Sequence, residues 1–111
     1  MKIYYTSKGK KGSITKLEGS DELQNGFLVF YKTSLASMPY NFTALTIGDY
    51  MFCASGAKDG FEFTGLDTHE SFFNLRNAEK MFYDSSLKKI EQDFPNLSKG
   101  DYMFYNCSAL E

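Results

Sequence analysis

The 111-residue chain holds a single histidine, His69, and two cysteines, Cys53 and Cys107. Nucleophilic catalysis by a thiol or hydroxyl normally needs a neighbouring base, most often histidine. A dyad of His69 with either cysteine is conceivable, but no Gly-x-Ser-x-Gly elbow and no recognisable Cys–His spacing supports it, and His69 reads as a turn residue beside Glu70. A structural zinc site wants four nitrogen or sulfur ligands, usually in close pairs, which two separated cysteines and one histidine do not supply. Phosphate-cradling glycine loops and the oxygen-rich steps of a calcium loop are also missing. The sequence therefore points to no cofactor and no metal, and catalytic residues are not assigned.

The carboxylates offer one more arrangement. Asp49 and Asp101 both lie in the pentapeptide Gly-Asp-Tyr-Met-Phe, which occurs at 48–52 and again at 100–104. Two such carboxylates facing one another could form an acid–base pair. Asp after Gly is more often a turn former whose carboxylate accepts local backbone N–H groups. Asp49, Tyr50, Asp101 and Tyr102 are accordingly candidates for a ligand pocket at the junction of two repeats.

That pentapeptide belongs to a longer self-similarity. At an offset of 52, residues 18–52 and 70–104 share fourteen identities in 35 gapless positions. Phe30-Tyr31 matches Phe82-Tyr83, Leu35 matches Leu87, Phe42 matches Phe94, and Leu45 matches Leu97. The chain reads as a single domain over 1–108 made of two tandem repeats of about 52 residues, 1–52 and 53–108. Ala109-Leu110-Glu111 has the look of a tag remnant.

Tyr31, Leu35, Met38 and Phe42, like Tyr83, Leu87, Ile90 and Phe94, step by +4, +3, +4, the stripe of one helix face. With Asn25 and Asn77 as N-caps and Pro95 as a stop, this spacing predicts helices over 26–38 and 78–93. Phe27 to Tyr31 alone would read as a buried strand. Strands are expected at 3–6, 13–17 and 61–64 and through both Tyr-Met-Phe segments, with Gly48 and Gly100 supplying turn freedom. The expected fold class is α+β: an antiparallel sheet of about five strands carrying two main helices, its halves related by a pseudo-two-fold axis.

Composition narrows function by exclusion. Hydrophobic residues make up 42% and charged residues 23%, a globular balance, and no apolar run is long enough to span a bilayer. A net charge of −2 argues against direct nucleic-acid binding. The Lys8, Lys10, Lys11 cluster reads as a hairpin loop, and the second half is the more acidic. Met1-Lys2-Ile3 does not open a signal peptide, so a reducing cytoplasm is the expected compartment.

The remaining signal is an aromatic content of 17%, with 11 Phe, 8 Tyr and no Trp. Tyrosine suits interfaces because it joins an apolar ring to a polar tip. These features together lead to the expectation of a small cytoplasmic protein-binding module that occludes a partner's surface. Inhibitors and toxin-immunity proteins of bacteria or phages are objects of this type. The partner would be another protein with a basic surface, such as a toxin or nuclease. The expected contact residues are Tyr4, Tyr5, Tyr40, Phe72 and Tyr105 as anchors, with Asp59, Glu62, Asp67 and Glu70 as charges. A homodimer is compatible with this. The alternative is a small-ligand binder or modest enzyme using the pocket between the repeats.

Overall fold

Four segments that begin at Asn25, Ile47, Asn77 and Lys99 run side by side in the computed structural model, each bridged in parallel to the next. The model describes residues 2–5, 14–39, 42–56, 60–64, 72–89 and 94–110. Each bridge marks one turn of a coil, so the chain winds upward in four levels among the described residues. The coils are 22, 30 and 22 residues long. A stack of this kind buries nothing within one level and everything between levels, which is the logic of a solenoid.

Aromatic columns run up the interior. Phe30, Phe52, Phe82 and Phe104 stack with ring centroids 5.2, 5.2 and 5.5 Å apart and planes within 8°. Phe42, Phe72 and Phe94 form a second column at 5.9 and 5.6 Å. These spacings are close to the roughly 4.8 Å between paired strands, so backbone and rings keep step. Leu45, Leu75 and Leu97, and Met51, Met81 and Met103, fill the volume between the columns.

The backbone along the first side of each coil is a series of tight turns. Leu28, Lys32, Tyr50, Ala54, Lys80, Asp84, Tyr102 and Asn106 all have φ between 52° and 61°. The Met51 N–H donates to the Gly48 carbonyl across Tyr50, and the Ser55 N–H donates to the Phe52 carbonyl across Ala54. Positive φ at the third residue of such a turn is the type II signature. The alternate N–H groups point to the next level. Gly48, Tyr50, Phe52 and Ala54 donate to the carbonyls of Asn77, Glu79, Met81 and Tyr83 at 2.7–3.0 Å. Ala78, Lys80, Phe82 and Asp84 repeat the pattern toward Lys99, Asp101, Met103 and Tyr105. Every second peptide thus serves its own turn and the others serve the ladder.

On another side each of the first three levels adds a short parallel strand. β3 (Ser37–Pro39), β4 (Phe61–Thr64) and β5 (Leu87–Lys89) form a sheet in that order. At the N-terminal end β1 (Lys2–Tyr5) and β2 (Ile14–Glu18) make an antiparallel hairpin, with β2 lying against β3. The strands expected at 3–6, 13–17 and 61–64 are therefore present, shifted by no more than a residue, whereas both Tyr-Met-Phe segments, expected as strands, are turns.

The expected fold class is overturned. Among the described residues there is no helix of seven or more residues, only a 3-10 turn at Ser20–Glu22. The helices expected at 26–38 and 78–93 are turn series followed by β3 and β5 over the described residues, and residues 90–93 fall outside these. The five-stranded antiparallel sheet is replaced by one hairpin and a parallel ladder. The matched halves stack by translation along the coil axis, and no two-fold axis relates them. The apolar stripe that mimicked a helix marks inward corners of a coil: Leu35 and Phe42 are buried while Tyr31 is exposed. Gly48 and Gly100 do not use positive φ. A Cβ at Gly48 would sit 3.0 Å from Met81 Sδ, so glycine there permits close approach of the core.

Candidate aromatic face

Side chains of the turn series that do not enter the core form a ribbon along one corner of the stack. One outward column contains Leu28, Tyr50, Lys80 and Tyr102, and a neighbouring one contains Tyr31, Tyr83 and Tyr105, with the buried Cys53 at the equivalent position of the second level. Their order follows from the ladder, which sets residue 80 over 50 and residue 105 beside 83. Tyr83 and Tyr105 stack at 5.3 Å, and Tyr102 meets Tyr105 edge-on at 5.5 Å. Phe27 meets Tyr50 edge-on at 5.9 Å. The Lys80 ammonium lies 5.6 Å from the Tyr50 ring centre and 5.5 Å from that of Tyr83, and Lys32 lies 5.3 Å from that of Tyr31.

Tyr102 is 62% exposed and Tyr105 55%. With Lys80 and Tyr83 they line an open cleft of about 300 Å³. Hydrogen bonding to Tyr50, followed by the influence of the tyrosine and Glu79 charges, pushes the Lys80 ammonium above its ordinary value. This lysine stays charged in the cleft at neutral pH. Acidic side chains flank the ribbon, with Asp49, Glu79 and Asp101 on successive levels of one column and Asp84 on another. The Asp49 carboxylate accepts the Glu79 N–H at 3.0 Å, and the Asn106 amide donates to Asp84 at 2.6 Å.

The thiols belong to the interior. Burial, then the Asp84 charge, raises the Cys53 thiol, and the same two causes in the same order raise Cys107. The Cys107 thiol donates to the Phe82 carbonyl at 2.8 Å. Both are free. Among the described residues no three His, Cys, Asp or Glu side chains gather as metal ligands, and no helix is long and apolar enough to cross a membrane.

Of the residues singled out from sequence, Tyr50, Tyr102 and Tyr105 come together on this corner, bridged by Lys80 and Tyr83. Asp49 and Asp101 do not face each other: they sit two levels apart with Glu79 between, so the expected carboxylate pair is not formed. Glu62 is exposed on β4, away from the corner. Phe72 is fully buried between Phe42 and Phe94, which makes it a core ring and not an anchor. Tyr4 and Tyr5 lie in β1. Tyr40, Asp59, Asp67, His69 and Glu70 fall outside the described residues. Sequence reasoning missed Lys80 and Tyr83. Tyr83 is the counterpart of Tyr31 in the duplication, and the spacing sets both on the stripe that reads as one helix face. The available signal was position, because both residues flank the Met81-Phe82 core pair on the outward side.

No protein-family model, no curated protein and no solved structure matches the chain.

Proposed function

We propose that the protein is a protein-binding module that docks through the aromatic corner and acts by covering its partner's surface. One observation carries the reading: among the described residues, of the large apolar side chains that stay exposed, Phe27, Leu28, Tyr31, Tyr102 and Tyr105 lie on this one corner and Phe73 lies elsewhere. Clustered tyrosines lose little side-chain entropy on binding and present both ring and hydroxyl. The ladder holds their backbone, so little ordering cost remains to be met on association. Asp49, Glu79, Asp84 and Asp101 give the rim an acidic balance over Lys32 and Lys80. That favours a partner with a basic surface and speeds encounter with it.

A second reading has its own observation. The cleft between Lys80, Tyr83, Tyr102 and Tyr105 has the volume of a small ligand site, although it is open. Co-purification from the native host with mass spectrometry separates the two. A stoichiometric protein is expected, lost on Tyr102→Ala with Tyr105→Ala and kept on Phe73→Ala, whose ring is exposed on a different corner. Capture that survives the double substitution, or a retained small molecule with no protein, would overturn the proposal.

A further inference from the structure

Lys80 holds its charge in an aromatic setting. The ammonium lies 5.6 Å from the centre of the Tyr50 ring on the preceding level and 5.5 Å from that of the Tyr83 ring on its own, and it hydrogen-bonds Tyr50. Both distances fall within the range of a cation–π contact. The Lys80 backbone is fixed by its N–H, which donates to the Asp101 carbonyl at 2.9 Å. Among the described residues no carboxylate forms an ion pair with this ammonium, although Asp49, Glu79 and Asp101 occupy the flanking column. An ammonium carries three donors. Tyr50 takes one, and Lys80 lines the cleft with Tyr83, Tyr102 and Tyr105, so the others serve an acceptor seated there. Lys80 and the two rings beside it belong to the second and third levels, so their arrangement is independent of what adjoins either end of the stack.

The cation selects the charge of what enters. A cationic or purely apolar group would strip water from the ammonium without replacing its hydrogen bonds. A carboxylate replaces them with charge-assisted ones. The rim selects the extent of the charge. Glu79, Asp84 and Asp101 are exposed and Asp49 is half-buried, and together they outnumber Lys32 and Lys80. A long polyanion is repelled by that rim, whereas a single carboxylate surrounded by positive charge matches both the centre and the edge. Building on the docking function proposed above, we propose that the partner inserts one aspartate or glutamate side chain, flanked by lysine or arginine, into this cleft and onto Lys80.

Two experiments test this. In the first, isotope-labelled protein is titrated with benzoate, with the neutral benzamide and with the cationic benzylamine, and backbone amide shifts are followed at residues 80, 83, 102 and 105. Benzoate should bind at least about tenfold more tightly than either of the others, and Lys80→Met should remove that preference while Lys80→Arg and Lys32→Met keep it. Dichroism verifies that each variant is folded. Equal binding of benzoate and benzamide, or benzoate binding unchanged by Lys80→Met, would overturn the proposal. In the second, capture of the partner from the native host should fall about tenfold with Lys80→Met and recover with Lys80→Arg. Capture unchanged by Lys80→Met but lost with Tyr102→Ala and Tyr105→Ala would overturn the carboxylate and leave the docking corner standing. Capture that survives all of these substitutions would sink the docking function itself. A small carboxylate retained in place of a protein would overturn the partner side chain as its source.

Discussion

Phe52 sits at the centre of the longer aromatic column. Its ring is fully buried, with Phe30 and Phe82 each 5.2 Å away on its two faces and Phe61 and Phe63 at 5.8 and 5.3 Å to the side. Replacing it with alanine first removes the transfer free energy of the ring, about 2–3 kcal/mol. A cavity then remains, and its cost depends on how far the surroundings collapse. Collapse is restricted here, since the levels above and below are pinned by the Phe30 N–H to Met51 and the Phe52 N–H to Met81 bonds, at 2.9 and 2.8 Å. The rings of Phe30 and Phe82 cannot approach each other without breaking that ladder. The expected loss is therefore near the upper end for Phe→Ala, about 4–5 kcal/mol. Phe104→Ala removes the terminal ring of the same column, stacked on one face and only half-buried, and should cost about 1–2 kcal/mol. Urea unfolding monitored by tyrosine fluorescence and far-ultraviolet dichroism gives both values. If the two substitutions cost the same, or if Phe52→Ala costs less than about 2 kcal/mol, then the ladder does not fix the level spacing and the account of the core is wrong.

Two other predictions concern the backbone and the thiols. Gly56 has φ of 109° and its Cβ position falls on Ser86 Oγ, so Gly56→Ala should destabilise by about 3 kcal/mol, whereas Leu28→Gly, at an exposed residue held at φ 61°, should stabilise by about 0.5–1 kcal/mol in thermal melts. Cys53 and Cys107 hold their protons more tightly folded than unfolded. The stability they contribute is complete below the ordinary thiol value of 9.0 and is lost as pH rises through the raised folded values, so above pH 9.0 Tm should fall more steeply than in the Cys53→Ala, Cys107→Ala double variant.

The long-range repeat was legible and its period was not. A gapless comparison finds the 52-residue offset because one short and one long coil separate Phe30 from Phe82 and Phe52 from Phe104. The true unit is a single level. It stays hidden because the second coil carries eight residues more than its neighbours, so no constant short offset aligns all four levels. Phe30, Leu35, Phe42, Phe52, Phe82 and Leu87 could be assigned to the core from their pairing alone. The path between them could not. Left-handed conformations at Leu28, Tyr50, Lys80 and Tyr102 are imposed by the ladder, and none of these residue types signals a type II turn by itself. Without those turns the same spacing reads as a helix. The aromatic corner was half legible: Tyr102 and Tyr105 were noted as separate candidates, but the lysine and tyrosine between them gain meaning only when levels are stacked.

The unequal coil lengths have a consequence for how such a chain can vary. The surplus in the second coil falls between Phe52 and Glu62 and between Glu62 and Phe72, and both aromatic columns and the β3–β4–β5 pairing continue past it, the latter with one irregularity between Phe61 and Glu62. Circumference and height are thus independent quantities. Material can be added to the rim of one storey at the modest entropic cost of a longer loop, while the storeys above and below keep their footing. A peptide inserted in the chain between Thr64 and Phe72 should accordingly leave both aromatic columns in place.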